Sequence, residues 1–192
     1  MDFIAGTSGG LSSEIMIGLA RFRHQVFVET LGWNLENAHE GLELDQFDRP
    51  DTVYVVARDD SGEVAGTARL LPTTRPYLLG EVFPQLLHQQ PLPHSPTVWE
   101  LSRFAAVDFT ARSSSAMSQF SSPIAVALLR ATLRAAAARG AERLITVSPL
   151  GVERLLRRAG FIAHRAAPPC IVDGHPLFAA LIEIDEPTAS SH

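Results

Sequence analysis

Apolar residues at Ile15, Leu19, Phe22 and Val26 recur at helical spacing, which predicts an opening helix with that stripe toward the core. Ser12 or Ser13 supplies its cap, and Glu14 places an acid in the first turn, where the helix dipole favours it. Gly32, just past Leu31, is the stop signal. Residues 52–58 and 63–71 are rich in β-branched and aromatic side chains, and Asp59-Asp60-Ser61-Gly62 between them predicts a hairpin. A further strand is expected over 98–107. Ser122-Pro123 starts a second helix through an Ala- and Leu-rich run that ends before Gly140. A buried strand over 144–148 and a helix over 151–159, closed by Gly160, come next. A return pair follows, 170–172 and 176–184, joined by Asp173-Gly174.

Two stretches lack such patterning. Residues 34–50 are polar and acidic and read as one long loop, of the kind that often serves as a lid. Residues 72–96 are irregular, with a short helix near 81–87. The order of elements predicts an α/β fold, a mixed sheet flanked by helices. With 192 residues the chain suits one domain over 1–186, and 187–192 reads as a flexible tail.

Composition narrows the class. Hydrophobic residues make up 46% and charged ones 19%, a balance that supports a packed core and not a disordered chain. No stretch approaches the roughly 20 apolar residues of a membrane span. The first residues lack the basic and apolar regions of a secretory signal, and a lone Cys170 permits no intramolecular disulfide, so the cytoplasm is the expected compartment. A net charge of −5 argues against nucleic-acid binding. The histidines are scattered without ligand spacing, so no metal is expected.

Candidate chemistry centres on Val98-Trp99-Glu100-Leu101-Ser102-Arg103-Phe104, where an acid and a base sit inside an apolar run. Burial of ionised groups is costly unless they are paired or given chemical work. Residues three apart on a regular strand point to opposite faces, so Glu100 and Arg103 can share a site only across a bulge. A structural ion pair is the alternative. Arg23, Phe27, Trp33, Asp45, Asp48 and Arg69 add further charged and aromatic positions. Three carboxylates, Asp45, Asp48 and Glu100, set against Arg23, Arg69 and Arg103 suggest a charge network.

That set, in that order and spacing, resembles the acyl-homoserine-lactone synthases, the autoinducer synthases, from about residue 19 to residue 161. The resemblance implies an N-acetyltransferase-like α/β/α sandwich with a mixed, mostly antiparallel central sheet. It also implies an acyltransferase without a cofactor that joins an acyl thioester to S-adenosylmethionine, which is a substrate, and then closes a lactone. Glu100 matches the family's catalytic glutamate, with Arg103, Asp45, Asp48 and Arg69 beside it in the catalytic cluster. Arg23 is expected to meet the substrate carboxylate, since a guanidinium binds carboxylates bidentately. Phe27 and Trp33 suit the sulfonium and adenine, and Ser102, Phe104 and Thr146 complete the substrate-binding set. Arg154 and Arg158 match positions that dock acyl carrier protein, the expected donor, and a solvated basic face is the alternative. Thr146 falls where a hydroxyl reads acyl carbon 3. Ordinary strand filling is the alternative there, and a medium chain of about eight to ten carbons is expected.

Two other functions compete. An N-acyltransferase using acyl-coenzyme A and another small amine is permitted by the fold, but no glycine-rich pyrophosphate loop follows Phe104. A non-catalytic binding module would tolerate loss of Glu100, Arg103 or the aspartates, and all are present.

Overall fold

The computed structural model describes residues 1–35, 38–107 and 122–184. The expected tail, 187–192, and the stretch from residue 108 to 112 lie outside the described residues. The chain packs as two compact units. One combines Met1–Leu71 with Leu101–Thr132, and the other combines Pro72–Glu100 with the described part of Leu133–His192.

In the first unit, helix α1 (Ser13–Arg23) begins where its caps predict, and the Ile15 amide donates to Ser12 Oγ at 3.3 Å. Leu19, Phe22 and Val26 are buried. The helix does not stop at Arg23. It widens into a π-helical segment, His24–Thr30, with the Leu31 amide bonded five residues back to Val26 O at 3.0 Å. Gly32, at φ +69°, then turns the chain. The Trp33 amide reaches back to Phe27 O at 2.9 Å.

Strand β1 (Asp2–Thr7), which the patterning does not predict, pairs antiparallel with β4 (Val53–Arg58). The predicted hairpin is present: β4 pairs antiparallel with β5 (Val64–Pro72). The long loop contains a small hairpin, β2 (Ala38–His39) and β3 (Leu42–Glu43), turned through Glu40 and Gly41 at φ +54° and +76°. One apolar cluster joins Leu11, Leu19, Tyr54 and Val56, and another joins Phe22, Val26, Phe27 and Ala105. Strand β6 (Val98–Ala106) contributes residues to both units. Arg103 adopts φ +50°, a left-handed conformation inside a strand, so the regular alternation of faces breaks there.

In the second unit, Val98–Glu100 of β6 pairs parallel with residues 143–145 of β7 (Arg143–Pro149), and the paired stretch ends at Glu100. Strand β7 pairs antiparallel with β10 (His175–Glu183). Strands β8 (Ala163–Arg165) and β9 (Cys170–Val172) both pair antiparallel with β10. The short helix α2 (Leu78–Val82) starts earlier than predicted and is followed by a 3-10 turn, Pro84–Leu87. Helix α3 (Pro123–Ala137), which like β6 contributes residues to both units, is capped by Ser122, whose Oγ accepts from the Ala125 amide at 3.1 Å. Helix α4 (Val152–Arg158) is closed by Gly160 at φ +87°.

The strands hydrogen-bond in the order β1-β4-β5-β6-β7-β10-β8, with β9 on β10. The mixed, mostly antiparallel sheet expected from the sequence is therefore the one observed. No helix among the described residues is long and apolar enough to cross a membrane.

Candidate active site

Three arginines on three different elements of the first unit point into one cluster. Arg23 ends α1, Arg69 lies on β5, and Arg103 occupies the left-handed position of β6. The opposing carboxylates all come from one short segment: Glu43 at the end of β3, then Asp45 and Asp48. Arg23 Nε donates to Glu43 Oε2 at 2.5 Å, and its two amino groups grip both oxygens of Asp48 at 2.7 and 3.0 Å. Arg69 Nη1 donates to Asp45 Oδ1 at 2.5 Å and lies 3.4 Å from Asp48 Oδ1. Arg103 Nη2 donates to Glu43 Oε1 at 3.0 Å and to Asp45 Oδ2 at 2.9 Å.

Neutral groups complete the cluster. Tyr54 OH donates to Asp48 Oδ1 at 3.0 Å, and the Asp45 amide donates to Asp48 Oδ2 at 2.7 Å. Arg69 Nε donates to Ser102 Oγ at 3.0 Å, which gives Ser102 a holding role. The Phe47 amide donates to Asp45 Oδ1 at 2.9 Å. The Arg103 guanidinium lies 5.6 Å from the centre of the Phe27 ring, and Phe27 stacks on Trp33 at 4.9 Å. Trp33 is 45% exposed, so this aromatic pair has one buried member and one open to solvent.

The cluster is graded in depth. The side chains of Arg23 and Glu43 are 0% and 1% exposed, whereas those of Arg103 and Asp45 are 7% and 10% exposed. The sequence reading assigns Arg23 to the substrate carboxylate. In the structure the fork of Arg23 is closed on Asp48, its Nε is held by Glu43, and its side chain is fully enclosed. Arg69 Nη2 is also buried, yet it has no hydrogen-bond partner among the described residues. An unmade bond on a buried donor costs about 1–3 kcal/mol.

Burial alone would raise the Asp48 carboxyl pKa, but Arg23, with help from Arg69 and the Asp45 amide, holds it well below the ordinary carboxylate range. Burial opposes ionisation of Glu43 as well, and Arg23 and Arg103 overcome it, so its pKa is also lowered. Tyr54 moves the other way, raised by burial and by the charge of Asp48.

Glu100, in the second unit, is buried. Its two oxygens accept the Leu78 and Leu79 amides at 2.9 and 2.6 Å, so it holds the first turn of α2. The sequence reading counts Glu100 as the third carboxylate facing the arginines; within the first unit, Glu43 joins Asp45 and Asp48 in holding them. Phe104 is half-buried, and Thr146 is buried with its hydroxyl 3.5 Å from Val147 O. On α4, Arg157 is engaged by Glu153 at 2.6 Å and by Ala163 O at 2.9 Å. Arg154 and Arg158 are exposed, with no ion pair among the described residues.

Sequence reasoning missed Glu43 and Tyr54. Glu43 leaves no signal in charge counting, because Asp45, Asp48 and Glu100 already balance the three arginines. Tyr54 leaves none, since an aromatic residue in an apolar strand reads as core.

The model for autoinducer synthases matches residues 11–191, and the chain belongs to that family. An acyl-homoserine-lactone synthase from Acinetobacter nosocomialis is 54% identical, covering 96% of this chain and all of that one. The crystal structure of TofI, in a ternary complex with an inhibitor and MTA, is 48% identical. It has a TM-score of 0.80 and covers 96% of this chain and 92% of that one. BjaI, a coenzyme A-dependent acyl-homoserine-lactone synthase bound to SAM and isopentyl-CoA, is 27% identical. Its TM-score is also 0.80, and coverage is 94% of this chain and 82% of that one. The enzyme class expected from the sequence, an acyl-homoserine-lactone synthase, is thereby borne out.

The lowered carboxyl pKa values set an acid limit on stability. Stability from Asp48 and Glu43 is fully present above the unfolded carboxyl pKa, about 4, and is lost as pH falls through the lower folded values. Denaturant unfolding should show stability declining steeply below about pH 4. In Asp48→Asn, stability at neutral pH should fall by about 3–5 kcal/mol, with a shallower acid decline. An unchanged acid limb in the variant would remove Asp48 from this linkage.

Proposed function

We propose that this protein makes an N-acyl-homoserine lactone from S-adenosylmethionine and an acyl thioester. The amine of S-adenosylmethionine attacks the thioester carbonyl, and the amide forms as the thiol leaves. The substrate carboxylate then displaces methylthioadenosine from its own γ-carbon and closes the lactone. One observation carries the reading: the outermost members of the buried cluster are an acid and a base, Asp45 and Arg103, beside a cation-facing aromatic pair. Those three features are complementary to the ammonium, carboxylate and sulfonium of a single substrate.

Asp45 receives the ammonium. Arg103, with the unpaired amino group of Arg69, receives the carboxylate, while Phe27 and Trp33 face the sulfonium and adenine. Arg23, Glu43 and Asp48 are saturated by one another and by their neighbours, and they hold the segment in place. Glu100 takes the proton of the attacking amine, directly or through a water, because an ammonium has no lone pair to attack with. Phe104 lies along the acyl path. Thr146, whose nearest acceptor is at the outer limit of a hydrogen bond, offers its proton to an oxygen at acyl carbon 3 of a medium-length chain.

Acyl carrier protein is the proposed donor, docked on α4 by Arg154 and Arg158. The second reading, acyl-coenzyme A as donor, draws on the coenzyme A dependence of BjaI. Incubation with labelled S-adenosylmethionine and each donor tests the function directly. Label in an organic-extractable lactone with release of methylthioadenosine is expected, and label in any other amide would overturn the reading.

Glu100→Gln should lower turnover roughly 10²–10⁴-fold. The isosteric change is not neutral for the fold. Glutamine offers one acceptor oxygen where two amides donate, and an amino group facing an amide N–H costs about 1–3 kcal/mol. A thermal melt and initial rates taken well below the melting temperature separate the two effects. Near-normal rates would take Glu100 out of the mechanism.

Charge reversal at Arg154 and Arg158 should depress activity with acyl carrier protein and spare a minimal acyl-pantetheine. Carrier binding should weaken as salt rises, as exposed ion pairs do. Equal losses on both donors would exclude a docking role.

A further inference from the structure

We propose that Tyr54 is a positioning residue for the aminoacyl end of S-adenosylmethionine, completing Asp48 so that Arg69 stays with Asp45. This rests on the reading of Asp45 as the group that meets the substrate ammonium.

Tyr54 stands on β4 with its ring packed among Leu11, Leu19 and Val56, so the direction of its hydroxyl is fixed by the core. Burial and the adjacent charge keep the phenol protonated far above neutral pH, which makes it a permanent donor. A carboxylate offers about four acceptor sites. On Asp48, Oδ2 takes Arg23 Nη2 and the Asp45 amide, and Oδ1 takes Arg23 Nη1 and the Tyr54 hydroxyl. With those four donors in place, Asp48 is full.

That matters because one amino group of Arg69 stands between the two aspartates. Its Nη1 is 2.5 Å from Asp45 Oδ1 and 3.4 Å from Asp48 Oδ1. If the phenol hydroxyl is removed, Asp48 Oδ1 gains an open site, and the nearest charged donor without a full bond to it is Arg69. Arg69 then divides itself between the aspartates, and Asp45 loses its shortest contact. Tyr54 touches neither substrate nor reacting atoms. Its effect reaches the substrate through Asp48, Arg69 and Asp45.

Tyr54→Phe removes the hydroxyl and keeps the ring. Calorimetric titration of the variant with S-adenosylmethionine and, separately, with methylthioadenosine tests the idea, because the second ligand lacks the aminoacyl end. Affinity for S-adenosylmethionine should fall roughly tenfold, the scale of one hydrogen bond to a charged group, while methylthioadenosine binds as in the parent. The KM for the acyl donor and the turnover at saturation should stay within about twofold. Equal weakening of both ligands, or a fall in melting temperature with loss on both substrates, would assign Tyr54 to packing and overturn the proposal. Unchanged affinity for S-adenosylmethionine would overturn it as well. A parent protein that binds neither ligand would instead refute the functional reading on which the proposal stands.

Discussion

Three guanidiniums buried against three carboxylates form the constraint on which the first unit depends. A buried cation without its partner costs several kcal/mol, and here each arginine enters from a separate element. The helix end, β5 and the kinked β6 would each carry an unmatched charge if the segment bearing Glu43, Asp45 and Asp48 were displaced. That segment has almost no regular structure and buries few apolar side chains, Phe47 being the chief one. Its position is set by charge and by hydrogen bonds, including the Thr52 hydroxyl bonded to Phe47 O at 2.6 Å. A stretch that looks like a surface loop in composition is held as firmly as a core element.

The same arrangement separates holding from binding. Groups at the bottom of the cluster satisfy one another: Arg23 with Glu43 and Asp48, and Asp48 with Tyr54 and the Asp45 amide. Asp45 and Arg103 are less deeply enclosed than Arg23 and Glu43, and Arg103 lies against the Phe27 ring that stacks on Trp33. Under the proposed function, a site that receives a molecule carrying both charges gains from this layering. The charged groups arrive pre-ordered, and little side-chain entropy remains to be lost on binding. The left-handed backbone at Arg103 fits the same logic. A conformation that costs about 1–3 kcal/mol persists where several contacts over-determine it, and here Glu43, Asp45 and the Phe27 ring all converge on one guanidinium.

The elements legible in the sequence are those that carry local signals. Ser12, Ser122, Gly32 and Gly160 punctuate helices through caps and left-handed turns, and Asp59-Asp60-Ser61-Gly62 marks the β4–β5 hairpin. Strands β1 and β8 were not legible, because β1 lacks alternation of apolar and polar residues, β8 has three residues, and both are specified by pairing with another segment. The two-residue strands β2 and β3 have no period to detect. The π-helical widening after Arg23 was hidden for another reason: apolar spacing over one extra turn looks the same with or without an inserted residue. In the candidate site, Glu100 and Arg103 stood out because ionised groups inside an apolar run are rare, and the family resemblance singled out Arg23, Arg69, Asp45 and Asp48. Glu43 was masked by the acidic stretch around it, and Tyr54 by the apolar strand that contains it.

Every basic side chain in this sequence other than histidine is an arginine. For the buried cluster that identity has consequences. A lysine in a dry site can shed its proton and become neutral, which would relieve the demand for a matching carboxylate. Arginine keeps its charge, so three buried arginines oblige the chain to bring three carboxylates. The planar fork also decides how they are met. Arg23 takes both oxygens of one aspartate with its two amino groups and a second acid with its Nε, a division that a single ammonium point charge does not impose. Direction is therefore built into the cluster as well as neutrality, and direction lets a neighbouring donor such as Tyr54 decide which aspartate Arg69 serves. A lysine at position 69, even when protonated, would lose the separate Nε bond to Ser102, and the distinction between Asp45 and Asp48 would fade with it.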